Sequence, residues 1–280
     1  MSKAASPELT VRFWGVRGTI ACPGSATLRY GGNTACVELR CSGKLVILDG
    51  GTGLRPLGEE LRAEGPGLDA DLFYSHCHLD HIVGMPLFGP AYVTGNRFRL
   101  WAGNLLPDHT LGQVLHQLMA APLFPVPPDI FKADIEFRDF HCGETLAPRP
   151  DIVVRTAPLH HPDGATGYRV EHAGKAVAYI TDTEHFPDRV DENVLALVKG
   201  ADLMIYDATY TEEEYRDRIG WGHSTWREGV KLADAAGVKV LVLFHHDPGH
   251  DDAFMDDLAA AAAAARPGTI VAREGELLRV

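Results

Sequence analysis

Four side chains able to hold a metal fall within six positions, His76, His78, Asp80 and His81, in the run Ser75-His-Cys-His-Leu-Asp-His81. Imidazole nitrogen and carboxylate oxygen suit zinc and neighbouring divalent ions, and a pattern built on them rather than on thiolate pairs argues against a purely structural zinc knuckle. The run follows a short apolar stretch, 71–74, so a tight turn off a strand would throw all four donors toward one point. Histidine is abundant throughout, 14 residues in 280, and other histidines also stand where apolar runs stop, as in Leu241-Val-Leu-Phe-His-His246.

Those donors need strands to carry them. Residues 9–14, 35–40 and 45–48 read as strands, the last two joined by a turn at Cys41-Ser-Gly-Lys44; Asp49-Gly-Gly-Thr-Gly53 then breaks the pattern ahead of a helix over 54–64. The order recurs in the second half, where a hairpin of 167–170 and 176–180 is followed by Asp182, and a later apolar strand over 238–244 runs into His245. Two similar halves of hairpin, Asp, helix and His-terminated strand predict two sheets packed face to face with helices outside, a four-layered αββα sandwich of the α/β class, over an ordinary doubly wound sheet. No linker divides the chain, so residues 1–280 read as a single domain. An alanine-rich helix through 259–265 is expected to be capped by Asp251 or Asp252 and ended by Pro267-Gly268, before a closing hairpin of 269–273 and 276–280. The rhythm lapses over about 104–131, where Leu118, Met119, Leu123 and Phe124 are too apolar for a solvated linker; this stretch is expected to cover the site mouth, as a lid or as a homodimer contact.

Composition narrows the partners. Lys and Arg number 26 against 38 Asp and Glu, a formal net charge of -12, which repels a phosphate backbone, so no large nucleic acid is expected. The five cysteines are odd in number and show no CxxC spacing, which fits free thiols in a reducing, cytoplasmic setting. No apolar run approaches the roughly 20 residues that span a bilayer, and the first ten residues lack the basic start and apolar core of a signal peptide. No membrane partner is expected.

The HxHxDH pattern after a strand resembles the hallmark of the metallo-β-lactamase superfamily. Phe13-Trp-Gly-Val-Arg-Gly18, Tyr30-Gly-Gly-Asn-Thr34 and Leu48-Asp-Gly-Gly-Thr-Gly53 are similar to the amino-terminal signatures of its phosphodiesterase-like branch, which includes the tRNA 3′-processing endonucleases and small cyclic-phosphate phosphodiesterases. The resemblance implies two divalent metal ions. His76, His78 and His161 would surround one ion and Asp80, His81 and His245 the other, with Asp182 of Tyr179-Ile-Thr-Asp-Thr-Glu184 between them. His160 and His246 are the neighbouring alternatives to His161 and His245. Asp49 is implied as a structural carboxylate behind the metal loop; by residue type alone it could cap a helix. Zinc is the implied ion, and manganese or iron would accept the same donors.

Gly222-His-Ser-Thr225 resembles the His-Ser-Thr motif of that branch, and Asp207 of Tyr206-Asp-Ala-Thr-Tyr210 matches its acidic partner. The implied catalytic set is His223 at the leaving group, Asp207 orienting it, and Asp80 helping to orient an attacking water. From His161 to Asp182 is only 21 positions, 182 minus 161, too few for the basic arm of the tRNA-processing relatives. The expected reaction is therefore hydrolysis of a small phosphodiester, cyclic or nucleotide-type, by a metal-bridging hydroxide. Hydrolysis of a carbonyl ester, thioester or lactone, and a non-catalytic metal-dependent sensing module, are the alternatives. Arg17 and Arg55, beside glycine-rich turns, are candidates for phosphate contact or for packing.

Overall fold

The computed structural model of the chain describes residues 8–280; residues 1–7, part of the stretch read above for a leader, lie outside the described residues. The first half runs β1 (Leu9–Gly15), β2 (Cys36–Cys41), β3 (Lys44–Leu48), α1 (Leu54–Arg62), β4 (Asp69–Tyr74), α2 (Leu79–Ile82), β5 (Arg97–Ala102), α3 (Leu111–Leu118) and β6 (Asp134–Asp139). The second half runs β7 (Thr145–Arg149), β8 (Ile152–Leu159), β9 (Ala165–His172), β10 (Lys175–Ile180), α4 (Glu192–Val198), β11 (Leu203–Asp207), α5 (Glu212–Tyr215), α6 (Trp226–Ala236), β12 (Val240–Phe244), α7 (Asp252–Ala265), β13 (Ile270–Val271) and β14 (Leu277–Arg279). No helix among the described residues is long and apolar enough to cross a membrane.

The strands form two seven-stranded sheets, in the orders β14-β1-β2-β3-β4-β5-β6 and β13-β12-β11-β10-β9-β8-β7. In each, an antiparallel hairpin gives way to parallel strands: β3, β4, β5 and β6 in the first, β10, β11, β12 and β13 in the second. Alternation along the strands decides the layers. Val46 and Leu48 of β3 join Phe73, Tyr168, Tyr179 and Val242 in a core between the sheets. Leu45 and Ile47 face outward onto Leu54, Leu57 and Leu111 of α1 and α3. On the other side Leu241 and Leu243 of β12 pack with Trp226, Ala233, Met255 and Leu258 of α6 and α7. This is the expected αββα order, and it sets the C-terminal ends of the parallel strands along one edge, the place where α/β sheets collect functional loops.

Two expectations differ from what is observed. The closing hairpin does not form: β13 pairs in parallel with β12 in the second sheet, while β14 pairs antiparallel with β1 in the first, so the chain changes sheets at Glu274-Gly275. Both strands are short, and a turn between two short runs in sequence carries no information about which sheet each joins. The 104–131 stretch, expected over the site mouth, starts with α3 on the outer face of β5 and β6, where Leu111 and Leu115 are buried in the outer core. Its periodic apolar residues were the face of an outer-layer helix; the following Leu123 is exposed. Asn104, at the start of the stretch, does reach toward the site, donating from Nδ2 to the Gly164 carbonyl at 3.0 Å. Asp251 is the cap of α7, accepting from Phe254 N–H, whereas Asp252 accepts from the backbone N–H of Arg29 and Tyr30.

One buried charge joins the sheets. Asp71 on β4 is fully buried and accepts from Arg99 Nε at 2.7 Å and Trp101 Nε1 at 3.0 Å on β5, and from Arg149 Nε at 2.8 Å on β7 of the opposite sheet. Removing one member of a buried ionic set leaves the others without compensation. Asp71→Ala is expected to destabilise the protein by about 3 kcal/mol in urea unfolding; a loss below about 1 kcal/mol, the ordinary worth of an exposed ion pair, would contradict this account.

Candidate metal centre

Each candidate donor leaves the end of a strand. His76, His78, Asp80 and His81 follow β4, His161 lies in the turn after β8, Asp182 follows β10 and His245 follows β12. Asp49, Asp182 and His245 have φ of 60°, 53° and 61°, the left-handed region that costs most residues energy. That backbone reversal ends each strand and turns the side chain back toward the others. Gly18 allows the approach from β1, since a Cβ there would lie 2.2 Å from the His245 ring, and the next residue, Thr19, donates its N–H to Asp80 Oδ2 at 2.7 Å.

The donors gather into two groups around one carboxylate. Asp182 Oδ1 lies 3.8 Å from His76 Nε2 and 3.9 Å from His161 Nε2, and His161 Nε2 is 3.1 Å from His78 Nδ1. Asp182 Oδ2 lies 3.2 Å from both His81 Nε2 and His245 Nε2, which are 3.2 Å and 3.4 Å from Asp80 Oδ2. The structure thus brings together His76, His78 and His161 on one side and Asp80, His81 and His245 on the other, with one oxygen of Asp182 toward each. His160 turns away, stacking on Phe186 with its Nδ1 at the Glu184 carbonyl, and His246 is engaged with the Ala272 carbonyl at 2.9 Å.

The opposite ring nitrogens of four of these imidazoles are committed. His81 Nδ1 donates to Asp49 Oδ2 at 2.8 Å and His161 Nδ1 to the Gly222 carbonyl at 2.8 Å. Ser75 Oγ gives its proton to Asp49 Oδ2 and so accepts from His76 Nδ1 at 3.1 Å; Thr209 Oγ1 lies 2.7 Å from Asp207 Oδ1 and in the same way accepts from His245 Nδ1 at 3.0 Å. Asp49 also takes the Tyr179 hydroxyl from the second sheet at 2.8 Å. It does not cap α1, whose first turn is preceded by Gly53. With Nδ1–H spoken for, Nε2 is the lone-pair nitrogen, and His76, His81 and His245 each have a buried Nε2 with no hydrogen-bond partner. Three buried ring nitrogens without a hydrogen-bond partner, beside two carboxylates, are costly in any interior and are what a divalent cation satisfies. The residues present fit such ions.

The charges follow the same logic. Burial, then the positive charge of His81, hold His76 well below the ordinary imidazole range. Burial pulls His81 down too, but Asp182, Asp80 and Asp49 outweigh it and raise it well above. Burial would raise Asp182, yet His245, His81 and His76 keep it well below the carboxylate range. His223 stands beside this cluster: its Nδ1 donates to Asp207 Oδ2 at 2.9 Å and lies 3.8 Å from Asp182 Oδ1, and its ring stacks on His245 with centroids 4.9 Å apart. Burial acts to lower its pKa, but Asp207, by charge and hydrogen bond, pushes it up to about 9. Asp207 is fixed in turn by Thr183 N–H and by Thr209 N–H and hydroxyl.

Neither arginine reaches this site. Arg17 is fully buried and gives Nε to the Gly31 carbonyl and Nη1 to the carbonyls of Asp247 and His250, tying the loop after β12 to the segment after β1. Arg55 is on the surface of α1, paired with Glu59 one turn on. What sequence reading missed are the supporting residues Ser75, Tyr179, Thr209 and Glu184. Ser75 and Thr209 stand inside or beside the quoted motifs, a usable signal; Tyr179 reads as an ordinary core residue.

A family model described as a beta-lactamase superfamily domain matches residues 46–246. Among curated relatives, ribonuclease Z of Brevibacillus brevis is 38% identical over an alignment covering 35% of this chain and 31% of that protein, so this match spans about a third of the relative's length. Ribonuclease Z of Haloarcula marismortui is 24% identical over 88% of this chain and 91% of that one. Among solved structures, the metallo-beta-lactamase fold protein YhfI from Bacillus subtilis superposes with a TM-score of 0.74 at 19% identity, covering 98% of this chain and 100% of the other. A diphosphatase from the PhnP family gives 0.70 at 20% identity, covering 98% and 97%. With the family match running from β3 through the last clustered histidine, the chain belongs to the beta-lactamase superfamily.

Proposed function

We propose that the protein is a metal-dependent hydrolase of phosphodiesters that acts on small, cyclic or nucleotide-type substrates through two divalent ions. His76, His78 and His161 would hold one ion and Asp80, His81 and His245 the other, with Asp182 shared. Such ions, when bound, lower the pKa of water and stabilise charge on phosphoryl oxygens. The chain's own residues do the rest. Asp49, Ser75, Thr209 and the Gly222 carbonyl hold four imidazoles in the tautomer that presents Nε2. Asp80, with Oδ2 on the Thr19 N–H, has Oδ1 to accept a hydrogen bond from the attacking water. His223, its Nδ1–H committed to Asp207, offers the other ring nitrogen to the departing alkoxide and delivers the proton there.

The observation that carries this reading is the His223–Asp207 pair set against Asp182: an imidazole whose Nδ1–H is held by a buried carboxylate, beside the shared carboxylate, is placed to serve a poor leaving group. Small substrates are favoured because only β9 and β10, turned at Ala173-Gly174, lie between His161 and Asp182, and because the net charge of -12 opposes polyanions. The name ribonuclease Z among the relatives supports phosphodiester chemistry and makes RNA the competing substrate.

His223→Ala is expected to keep about two ions per chain by elemental analysis while turnover of bis-p-nitrophenyl phosphate falls roughly 10²-fold. Loss of metal in that variant would make His223 a ligand instead. Asp182→Ala should lose at least one ion; retention of both would rule out a shared carboxylate. Stripping the wild type with a chelator should abolish turnover and added zinc should restore it. If the metallated protein were to cleave a thioester or nitrocefin and spare every phosphodiester, the carbonyl-hydrolase alternative would replace this one.

A further inference from the structure

Glu184 lies two residues beyond Asp182 and is only 5% exposed. Its carboxylate meets neutral donors from another part of the chain. Oε1 accepts from the Tyr215 hydroxyl at 2.9 Å and from Gly220 N–H at 2.8 Å; Oε2 accepts from Gly220 N–H and Gly222 N–H, both at 2.9 Å. Its backbone grips a third segment, donating N–H to the His160 carbonyl at 2.7 Å and accepting at its own carbonyl from His160 Nδ1 at 3.1 Å. One residue therefore clasps the end of β10, the 160–161 turn and the 220–222 loop, the segments that carry Asp182, His161 and His223.

The link that matters passes through Gly222. Held by its N–H to Glu184, this peptide unit turns its carbonyl onto His161 Nδ1 at 2.8 Å. The glycine has φ +85°, and a Cβ there would lie 2.2 Å from His161 Nδ1, so the contact depends on a bare backbone in a left-handed conformation. Such a turn stays put when something outside it holds its N–H groups, and here a single carboxylate holds two of them.

We propose that Glu184 is a positioning residue of the centre: by fixing the Gly222 peptide it makes His161 present Nε2 to the ion and sets the loop from which His223 reaches the substrate. The role requires a carboxylate. Both oxygens accept from N–H groups, so a glutamine of the same shape must turn its NH₂ toward at least one of them, donor against donor. The inference rests on the dinuclear reading above.

The test compares wild type, Glu184→Gln and Tyr215→Phe by zinc competition with a chromophoric chelator and by visible spectra of the cobalt-substituted proteins. Glu184→Gln should bind one ion as wild type does and the other about 10- to 100-fold more weakly. Its cobalt absorption should shift in position, while far-UV circular dichroism stays unchanged. Tyr215→Phe, which removes one of the donors, should move both readouts the same way by a smaller step. Wild type that takes up no divalent ion would overturn the dinuclear reading itself. Wild type that binds two, with affinities and spectrum unchanged in Glu184→Gln, would overturn the role of Glu184; were that variant unfolded, unchanged values in Tyr215→Phe would do the same.

Discussion

The structure is organised by imidazoles that cannot satisfy themselves. Three buried Nε2 atoms converge on the carboxylates of Asp182 and Asp80 while their partner nitrogens are held by Asp49, Ser75 and Thr209. Burying these groups together costs desolvation, which divalent ions held between them would offset. A fold must be rigid to sustain such a cluster. The fully packed core between the sheets, with Tyr179 crossing it to Asp49, supplies that rigidity.

Much of this was legible in the sequence because the donors are local and the strands are apolar. The HxHxDH run, Asp182 after β10 and His245 after β12 each combine a strand that alternation identifies with a polar residue at its end. The register at the end of β12 was left open between His245 and His246; in the structure Phe244 faces the inner core and His245 turns into the cluster. The supporting residues were not, since their meaning lies in partners remote along the chain. Tyr179 and Asp49 are 130 residues apart, and Arg17 bonds the carbonyl of His250, 233 residues away. Arg17 shows the limit well: an arginine beside glycines suggests a bound anion, yet at Gly18 the glycine is needed because a Cβ would strike the His245 ring.

The outer layers were harder to read than the inner one for a similar reason. An amphipathic helix such as α3 shows which face is apolar but not what that face meets, and in a stretch expected as a lid its Leu111 and Leu115 are found against β5 and β6. Site and scaffold also differ in how they use charge. Asp71 binds Arg99 and Arg149 between the sheets, an internal neutralisation, whereas the acidic residues of the centre are neutralised only by imidazolium or by ions from solution.

The change of sheets at Glu274-Gly275 bears on how the molecule is born. Because β14 pairs with β1, Thr10 standing opposite Arg279, the edge of the amino-terminal sheet stays unclosed until a segment far along the chain has been made. During elongation β1 therefore displays an open hydrogen-bonding edge to the crowded cell, a template for mispairing that nascent chains commonly shield with chaperones.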